Sequence, residues 1–186
     1  MSTLYIFVTG PSGSGKTTFL EALGEPQGFW IDQSAGLEYR HIVVDDSLEV
    51  YLFCSIDPSR FDQLIEIPER DLLGYIAVID STDPETWEEA KLMVSNCRGY
   101  ALLPTVLAAN KQDLPGAYTP EEIGAWMGMD AMTNALGVVA PDPESARRLF
   151  LQLLYSVNQE IERLDALIKE LERLAAENAR KDSKNG

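Results

Sequence analysis

A run of glycine, serine, lysine and threonine at positions 10–18 has the residue types needed to hold phosphate groups. It reads GPSGSGKTT and fits the pattern G-x-x-x-x-G-K-[ST]. Glycines let the backbone curl so that successive N–H groups form an anion-binding nest. Lys16 can reach the phosphates as a compact positive charge, and the Thr17 hydroxyl offers the kind of oxygen ligand that Mg²⁺ prefers. The expected phosphate-loop contacts are Gly10, Ser12, Gly13, Ser14, Gly15, Lys16, Thr17 and Thr18.

A second polar cluster, Asn110-Lys111-Gln112-Asp113, directly follows the apolar run 106–109. It has the N-K-x-D pattern of guanine-specific proteins. A carboxylate at Asp113 can accept hydrogen bonds from guanine N1–H and from its exocyclic amine, whereas adenine lacks that pair of donors. Polar groups left unpaired then reject the wrong base. We expect Asn110 to tie this segment to the phosphate loop and the stem of Lys111 to cover the base.

The elements that must position these two clusters alternate between short apolar runs and amphipathic stretches. Strands are predicted at 4–8, 74–79, 104–109 and 136–140, with a hairpin across 38–53 that turns at 45–47. Helices are predicted at 16–23, at 84–97, from 120 and from 142. Strands separated by helices imply right-handed crossovers and a mostly parallel sheet covered on both faces. We therefore predict a three-layer α/β/α fold of the P-loop NTPase type, with six strands, one antiparallel edge strand and a long C-terminal helix. The ligand should lie at the C-terminal ends of the strands.

Composition restricts the partners and the compartment. The 186 residues carry a formal net charge of −15, with 30 acidic against 15 basic side chains. Nucleic acid is therefore an unfavourable partner, because its binding begins with phosphate neutralisation by Lys and Arg. Two cysteines and one histidine are too few for a disulfide framework or a His-based metal site. No apolar run approaches the ~20 residues of a membrane span, and no signal or lipidation motif occurs. We expect a cytoplasmic protein without a membrane anchor.

The order of the two clusters makes the sequence resemble the Ras-like small GTPases, and within them the Arf-like and bacterial gliding-type branch. The segment AANKQDLP at 108–115 is similar to the Arf-type stretch, and the resemblance runs from residue 1 to about residue 156. It implies a regulatory protein that binds GTP and GDP with Mg²⁺. Ser34 begins a segment similar to T-x-G-x-[DE]-[FY] and stands where the family has a Thr that contacts Mg²⁺ and the γ-phosphate. The resemblance also implies that the backbone N–H of Ala140 meets guanine O6.

Residues 52–61, LFCSIDPSRF, depart from the family pattern at the second switch segment. Cys54 stands in place of the metal-orienting Asp, and Asp57 in place of a Gly that donates to the γ-phosphate. Pro58 stands in place of the Gln that orients the attacking water. The resemblance therefore implies GTP hydrolysis that is weak or depends on a partner.

These departures leave several interpretations open. The protein could hold GTP with little hydrolysis, or prefer GDP because Asp57 repels the γ-phosphate. Asp57 could instead position the metal or the water, which makes it the candidate catalytic residue, or nucleotide binding could be lost. The alternative functions are an interaction scaffold that acts through the last helix and a small P-loop nucleotide kinase. The kinase needs an arginine-bearing lid, which the arginines of this sequence do not form.

The last helix continues its apolar stripe past the expected edge of the domain. The two heptad series are Leu154, Ile161, Ile168, Ala175 and Val157, Leu164, Leu171, Asn178. Up to about residue 160 the stripe is what any final helix needs to pack on its own sheet. Beyond that point it indicates either a coiled coil with a protein partner or a second copy, or a helix that folds back over its own domain. We divide the chain into a nucleotide-binding domain at 1–156, a helical extension at 157–180 and a frayed tail at 181–186.

Overall fold

The computed structural model describes residues 2–24, 28–33, 36–55, 68–128 and 133–182. The described strands are β1 (Ser2–Thr9), β2 (Phe29–Asp32), β3 (Leu37–Asp45), β4 (Leu48–Ser55), β5 (Leu72–Asp80), β6 (Thr105–Asn110) and β7 (Thr133–Gly137). The described α-helices are α1 (Lys16–Ala22), α2 (Trp87–Tyr100), α3 (Pro120–Met127) and α4 (Pro143–Asp182). Short 3₁₀ turns at Glu69–Asp71 and Pro84–Thr86 precede β5 and α2.

The strands form one sheet in the order β2-β3-β4-β1-β5-β6-β7. Strand β1 pairs in parallel with β4 and β5, and the parallel pairing continues through β6 to β7. Strand β3 is antiparallel to both of its neighbours. The predicted fold class and the predicted hairpin are confirmed.

The predicted strand count of six was wrong, because the sheet has a seventh strand, β2. The antiparallel strand β3 therefore lies one position inside the edge. Strand β2 is only four residues long, FWID, and lies in a segment that has no clear apolar alternation. It is held by pairing with β3, where Phe29 is opposite Arg40 and Trp30 is opposite Tyr39. The rings of Trp30 and Tyr39 stack with centroids 5.6 Å apart. Long-range pairing, which a local pattern does not reveal, makes this segment a strand.

Helices cover both faces of the sheet, as the alternation of side chains along each strand requires. On one face Ile76 and Val78 of β5 pack in a core with residues of α1 and α4, such as Phe19 and Leu149. On the opposite face the intervening Ala77 and Ile79, with Trp87 and Ile123, pack in a second core beneath α2 and α3. The two cores hold the central strands, so the C-terminal ends of β1, β5 and β6 are fixed relative to one another.

Helix α4 is one continuous helix of 40 residues, about 60 Å long. Its first turns are anchored in the core by Leu149 and Leu153, which are fully buried. Every residue from 161 to 175 is exposed. The interpretation that the helix folds back over its own domain was therefore wrong. Among the described helices, none is both long enough and apolar enough to cross a membrane. The division at residue 157 coincides with no break in the helix and stays a prediction, and residues 183–186 lie outside the described part.

Candidate functional site

The loop between β1 and α1 has the backbone shape of a phosphate cradle. Gly10, Gly13 and Gly15 have φ values of 139°, 76° and 104°, which residues other than glycine rarely adopt. A Cβ atom on Gly10 would lie 2.1 Å from the carbonyl oxygen of Val78, and one on Gly15 would lie 2.3 Å from Asn110 Nδ2. The loop therefore needs glycine at these two positions for space as well as for conformation.

Lys16 is folded over this loop at the start of α1. Its Nζ donates to the carbonyl oxygens of Gly10 and Pro11 at 2.8 and 2.9 Å. Burial lowers the pKa of Lys16 below its usual value. The Ser14 hydroxyl in the same loop is buried and has no hydrogen-bond partner among the described residues. This loop therefore holds a cation and a buried hydroxyl without a partner among the described residues, and a bound anion could contact both groups.

A cavity opens over the loop, and its lining includes a carboxylate. The lining residues are Ser12, Gly13, Gly15, Lys16, Thr17, Thr18, Glu38 and Ser55. The Thr17 hydroxyl donates to Glu38 Oε2 at 2.5 Å. Thr17 and Glu38 thus place two oxygen groups beside the phosphate cradle, and oxygen is the ligand type that suits Mg²⁺. The donor set therefore fits the predicted metal, with Thr17 as one of its predicted ligands.

Cys54 lies behind this pair. It is opposite Glu38 in the pairing of β3 with β4, and its Sγ donates to Glu38 Oε2 at 3.7 Å. Burial raises the pKa of Cys54 to about 12, so the group next to the carboxylate is a neutral thiol at neutral pH. The other residues predicted around the γ-phosphate, Ser34, Asp57 and Pro58, lie outside the described residues, and their roles stay predictions.

The N-K-x-D segment is fastened to the phosphate loop by a buried amide. Asn110 Nδ2 donates to the carbonyl oxygen of Ser14 at 2.8 Å, which confirms the expected tie between the two segments. Asn110 Oδ1 accepts from the backbone N–H of Ala140 at 2.9 Å. The N–H expected to meet guanine O6 therefore already joins the loop after β7 to the same amide, and its contact with a base stays a prediction. One side chain, only 2% exposed, connects three loops.

Of the other residues in the N-K-x-D segment, Lys111 and Gln112 contact neighbouring segments, whereas Asp113 is exposed. Lys111 has a positive φ of 66°, and its Nζ pairs with the carboxylate of Asp80. Gln112 Nε2 donates to Ser81 Oγ and to the carbonyl oxygen of Tyr118, both at 2.8 Å. Asp113 is exposed, and its carboxylate has no hydrogen-bond partner among the described residues. Asp113 is therefore free to accept hydrogen bonds from a base.

Two site residues escaped the sequence prediction. Asp80 lies at the end of β5 opposite Asn110, and pairing between neighbouring parallel strands places it beside Lys111. Burial raises the pKa of Asp80, and hydrogen bonds from Lys111 and Thr82 lower it more strongly, so that the net pKa is below the usual value. Glu38 is the other missed residue. Two signals for it were available. The T-x-G-x-[DE]-[FY] segment has its acidic position at Glu38, and counting outward from the predicted hairpin turn at 45–47 brings Glu38 opposite Cys54.

No protein-family model matches the chain. Over 133 residues it is 31% identical to ADP-ribosylation factor-like protein 6 of Caenorhabditis briggsae, an alignment that covers 67% of this chain and 69% of that protein. The chain belongs to the ADP-ribosylation factor-like family of small GTPases. Identity to ADP-ribosylation factor-like protein 6 of Caenorhabditis elegans is 29% over 133 residues, with the same two coverages. Identity to ADP-ribosylation factor-like protein 2 of Arabidopsis thaliana is 26% over 137 residues, covering 70% of this chain and 71% of that protein.

The architecture agrees with this family. The Arl6 BBS3 small GTPase from Trypanosoma brucei, whose structure has the bound nucleotide analogue GppNp, superposes with a TM-score of 0.66. The superposition covers 85% of this chain and 99% of that one at 18% identity, and it shows that the two share a fold. All three relatives are ADP-ribosylation factor-like proteins, and the resemblance to the bacterial gliding-type branch stays a prediction.

Proposed function

We propose that this ADP-ribosylation factor-like protein is a cytoplasmic regulatory protein that binds GDP and GTP with Mg²⁺ in the cavity over the phosphate loop. The observation that carries the proposal is the buried side chain of Asn110, which joins the N-K-x-D segment to the phosphate loop. Through it, the phosphate cradle is joined to the segment that carries Asp113, whose carboxylate has no partner in the described part of the chain. The Trypanosoma neighbour shares this fold and has the bound nucleotide analogue GppNp, which supports the assignment.

Each part of the candidate site has a distinct task in this proposal. The backbone N–H groups of the loop and the charge of Lys16 hold the phosphates. Thr17 and, as predicted, Ser34 would hold Mg²⁺, which neutralises phosphate charge when bound. Asp113 accepts from the two donors of guanine and so excludes adenine, which leaves that carboxylate without partners. Groups of the protein thus bind the phosphates of GDP or GTP and select the guanine base.

Hydrolysis is proposed to be weak or dependent on a partner. Pro58 has no side-chain donor or acceptor with which to orient a water molecule, and Asp57 is the remaining candidate for that task. Single-turnover hydrolysis of bound GTP tests this. We expect slow turnover that falls further in D57A if Asp57 positions the water. Turnover as fast in D57A as in the unaltered protein would remove Asp57 from the reaction.

Binding is tested by titrating nucleotide-free protein with fluorescent GDP, GTP and ADP. We expect the guanine nucleotides to bind at least ~100-fold more tightly than ADP, because a site built to pair with specific polar groups rejects a base that lacks them. In D113N the carboxylate becomes an amide with a donor in place of an acceptor, and GDP affinity should fall by about 100-fold. D165N, on the exposed part of α4, is the matched control. Equal affinity for ADP and GDP would contradict the proposal.

We further propose that the exposed end of α4 packs against the same helix of a second copy. Ile161 and Ile168 occupy one heptad position, and Leu164 and Leu171 the other, and all four side chains are between 45% and 56% exposed. β-Branched residues at the first core position with Leu at the second favour a parallel two-stranded coiled coil. Every copy of the chain carries the same stripe, so association needs no other protein.

Light scattering over a concentration series tests this association. We expect a dimer that strengthens with added salt, because each copy has a net charge of −15 and salt screens their repulsion. L164K should raise the dimer dissociation constant by at least about 100-fold, since it places a charge in the apolar seam. L92K, at an exposed leucine of α2, is the control. A protein that stays monomeric throughout would contradict self-association and leave the stripe to a different partner.

A further inference from the structure

Position 54 poses a chemical problem for a magnesium-dependent nucleotide site. The family pattern has a metal-orienting Asp there, and this chain has a cysteine that is 1% exposed. A thiol is a soft, weakly polar group, and Mg²⁺ selects oxygen. Cys54 is therefore a poor substitute for the carboxylate, and the requirement for a carboxylate near Thr17 is left to another residue.

Glu38 meets that requirement from the neighbouring strand. In the hairpin Glu38 is directly opposite Cys54, and adjacent strands lie about 5 Å apart. A Glu side chain is one methylene longer than Asp, which helps it to reach across this spacing. Its Oε2 accepts the Thr17 hydroxyl at 2.5 Å and also contacts the Cys54 thiol. The carboxylate thus lines the phosphate cavity although it starts from β3.

The direction of the Thr17 hydrogen bond matters for a metal. A hydroxyl has one donor hydrogen and two acceptor lone pairs. When its hydrogen is donated to Glu38, the lone pairs of Thr17 Oγ1 are left for a cation. A carboxylate in this position therefore fixes the Thr17 hydroxyl in the orientation that binds Mg²⁺. At other metal sites, groups that hydrogen-bond to the metal ligands orient those ligands in the same way.

We infer that Glu38 is the positioning residue for Mg²⁺ in this protein, and that it replaces, across the β3–β4 pair, the carboxylate that the family places at position 54. The inference rests on the proposed guanine-nucleotide function and assigns the metal-orienting role within that site. The family pattern has an acidic residue at both of these paired positions, and with Cys54 in this chain Glu38 is the carboxylate of the pair that remains beside Thr17.

The experiment uses full-length protein loaded with fluorescent GDP. The readouts are the GDP dissociation rate as Mg²⁺ is varied and the affinity for Mn²⁺ by electron paramagnetic resonance. We expect E38Q to lose about 10- to 100-fold in metal affinity and most of the slowing of GDP release by Mg²⁺. E21Q, an exposed glutamate of α1, is the matched control and should behave as the unaltered protein.

Two further variants separate a metal role from a structural one. The double variant E38Q/C54D returns a carboxylate to the family position and should restore metal affinity to within a few fold of the unaltered protein. C54D alone restores the acidic pair of the family pattern and should keep metal affinity at or above that of the unaltered protein. If E38Q proves too unstable to purify, E38D, which keeps the charge but shortens the reach, should show a reduced metal affinity.

The outcomes distinguish the inference from the function on which it rests. Unchanged Mn²⁺ affinity and Mg²⁺ response in E38Q, or in E38D where E38Q does not fold, would overturn the role of Glu38 and leave nucleotide binding intact. A double variant that stays as defective as E38Q would overturn it as well. Unaltered protein that binds no fluorescent GDP at any Mg²⁺ concentration would instead overturn the proposed function, and the inference with it.

Discussion

The base half and the metal half of the candidate site, which contain Asn110 and Glu38 respectively, are built in different ways. In the base half the contacts come from loops at strand ends, and a single amide, Asn110, joins them at 2.8 and 2.9 Å. In the metal half a strand residue, Glu38, supplies the carboxylate that contacts Thr17. A loop contact that depends on one amide leaves no neighbouring position able to replace it. At a paired position of two adjacent strands, the side chain that makes the contact can come from either strand. The carboxylate can therefore be supplied by β3 or by β4.

The largest expected effect comes from Lys16, which serves both halves because it holds the phosphates. K16A removes two to three charge-assisted hydrogen bonds to phosphate, each contributing about 1.5 kcal/mol or more, so GDP affinity should fall by about 1,000-fold. Calorimetric titration measures this loss, and K91A on α2 is the control. An affinity within a few fold of the unaltered protein would show that the cradle does not bind phosphate.

Asn110 tests how strongly the base half depends on one side chain. N110A breaks two buried hydrogen bonds and leaves the N–H of Ala140 unpaired, so the free energy of unfolding should fall by about 2–4 kcal/mol. N134A is the matched control, because among the described residues the Asn134 side chain makes one partly buried hydrogen bond, to Ser156. Its loss should lower the free energy of unfolding by about 1 kcal/mol. Equal losses in urea unfolding of the two variants would contradict the special position of Asn110.

The smallest expected effect concerns Asp80 and Lys111 and appears as a pH dependence. The pKa of Asp80 is lowered in the folded protein. Its contribution to stability is therefore complete above the unfolded pKa of about 4 and is lost as the pH falls through the lower, folded value. K111M removes one source of this lowering, so acid unfolding should begin at a higher pH. Circular dichroism during acid titration measures the shift, with K169M as the control. A midpoint that stays in place or moves to lower pH would contradict the ion pair's role.

The sequence allowed the parts of the molecule that depend on contiguous residues to be predicted. The phosphate loop is one unbroken motif between a strand and a helix, and its glycines adopt the conformations expected of them. The layered fold also followed, since alternating apolar strands and helices leave few arrangements. The tie from Asn110 to the phosphate loop could be predicted because the family resemblance extends through both segments.

The rest depended on pairings between distant segments. Strand β2 is held by its pairing with β3, and four residues carry too little pattern to show it. Glu38 became part of the site through hairpin register, and Asp80 through its pairing with β6. The direction of α4 was also undetermined, because the same heptad stripe suits a helix that folds back and one that extends from the domain. The structure decides between them by leaving residues 161–175 exposed.

The most direct test of the central claim is the nucleotide that the purified protein carries. Acid release followed by chromatography identifies it and gives its amount per chain. We predict guanine nucleotide, with GDP in excess over GTP, at close to one molecule per chain. Adenine nucleotide at that stoichiometry, or protein that is empty and binds no added guanine nucleotide, would contradict the account.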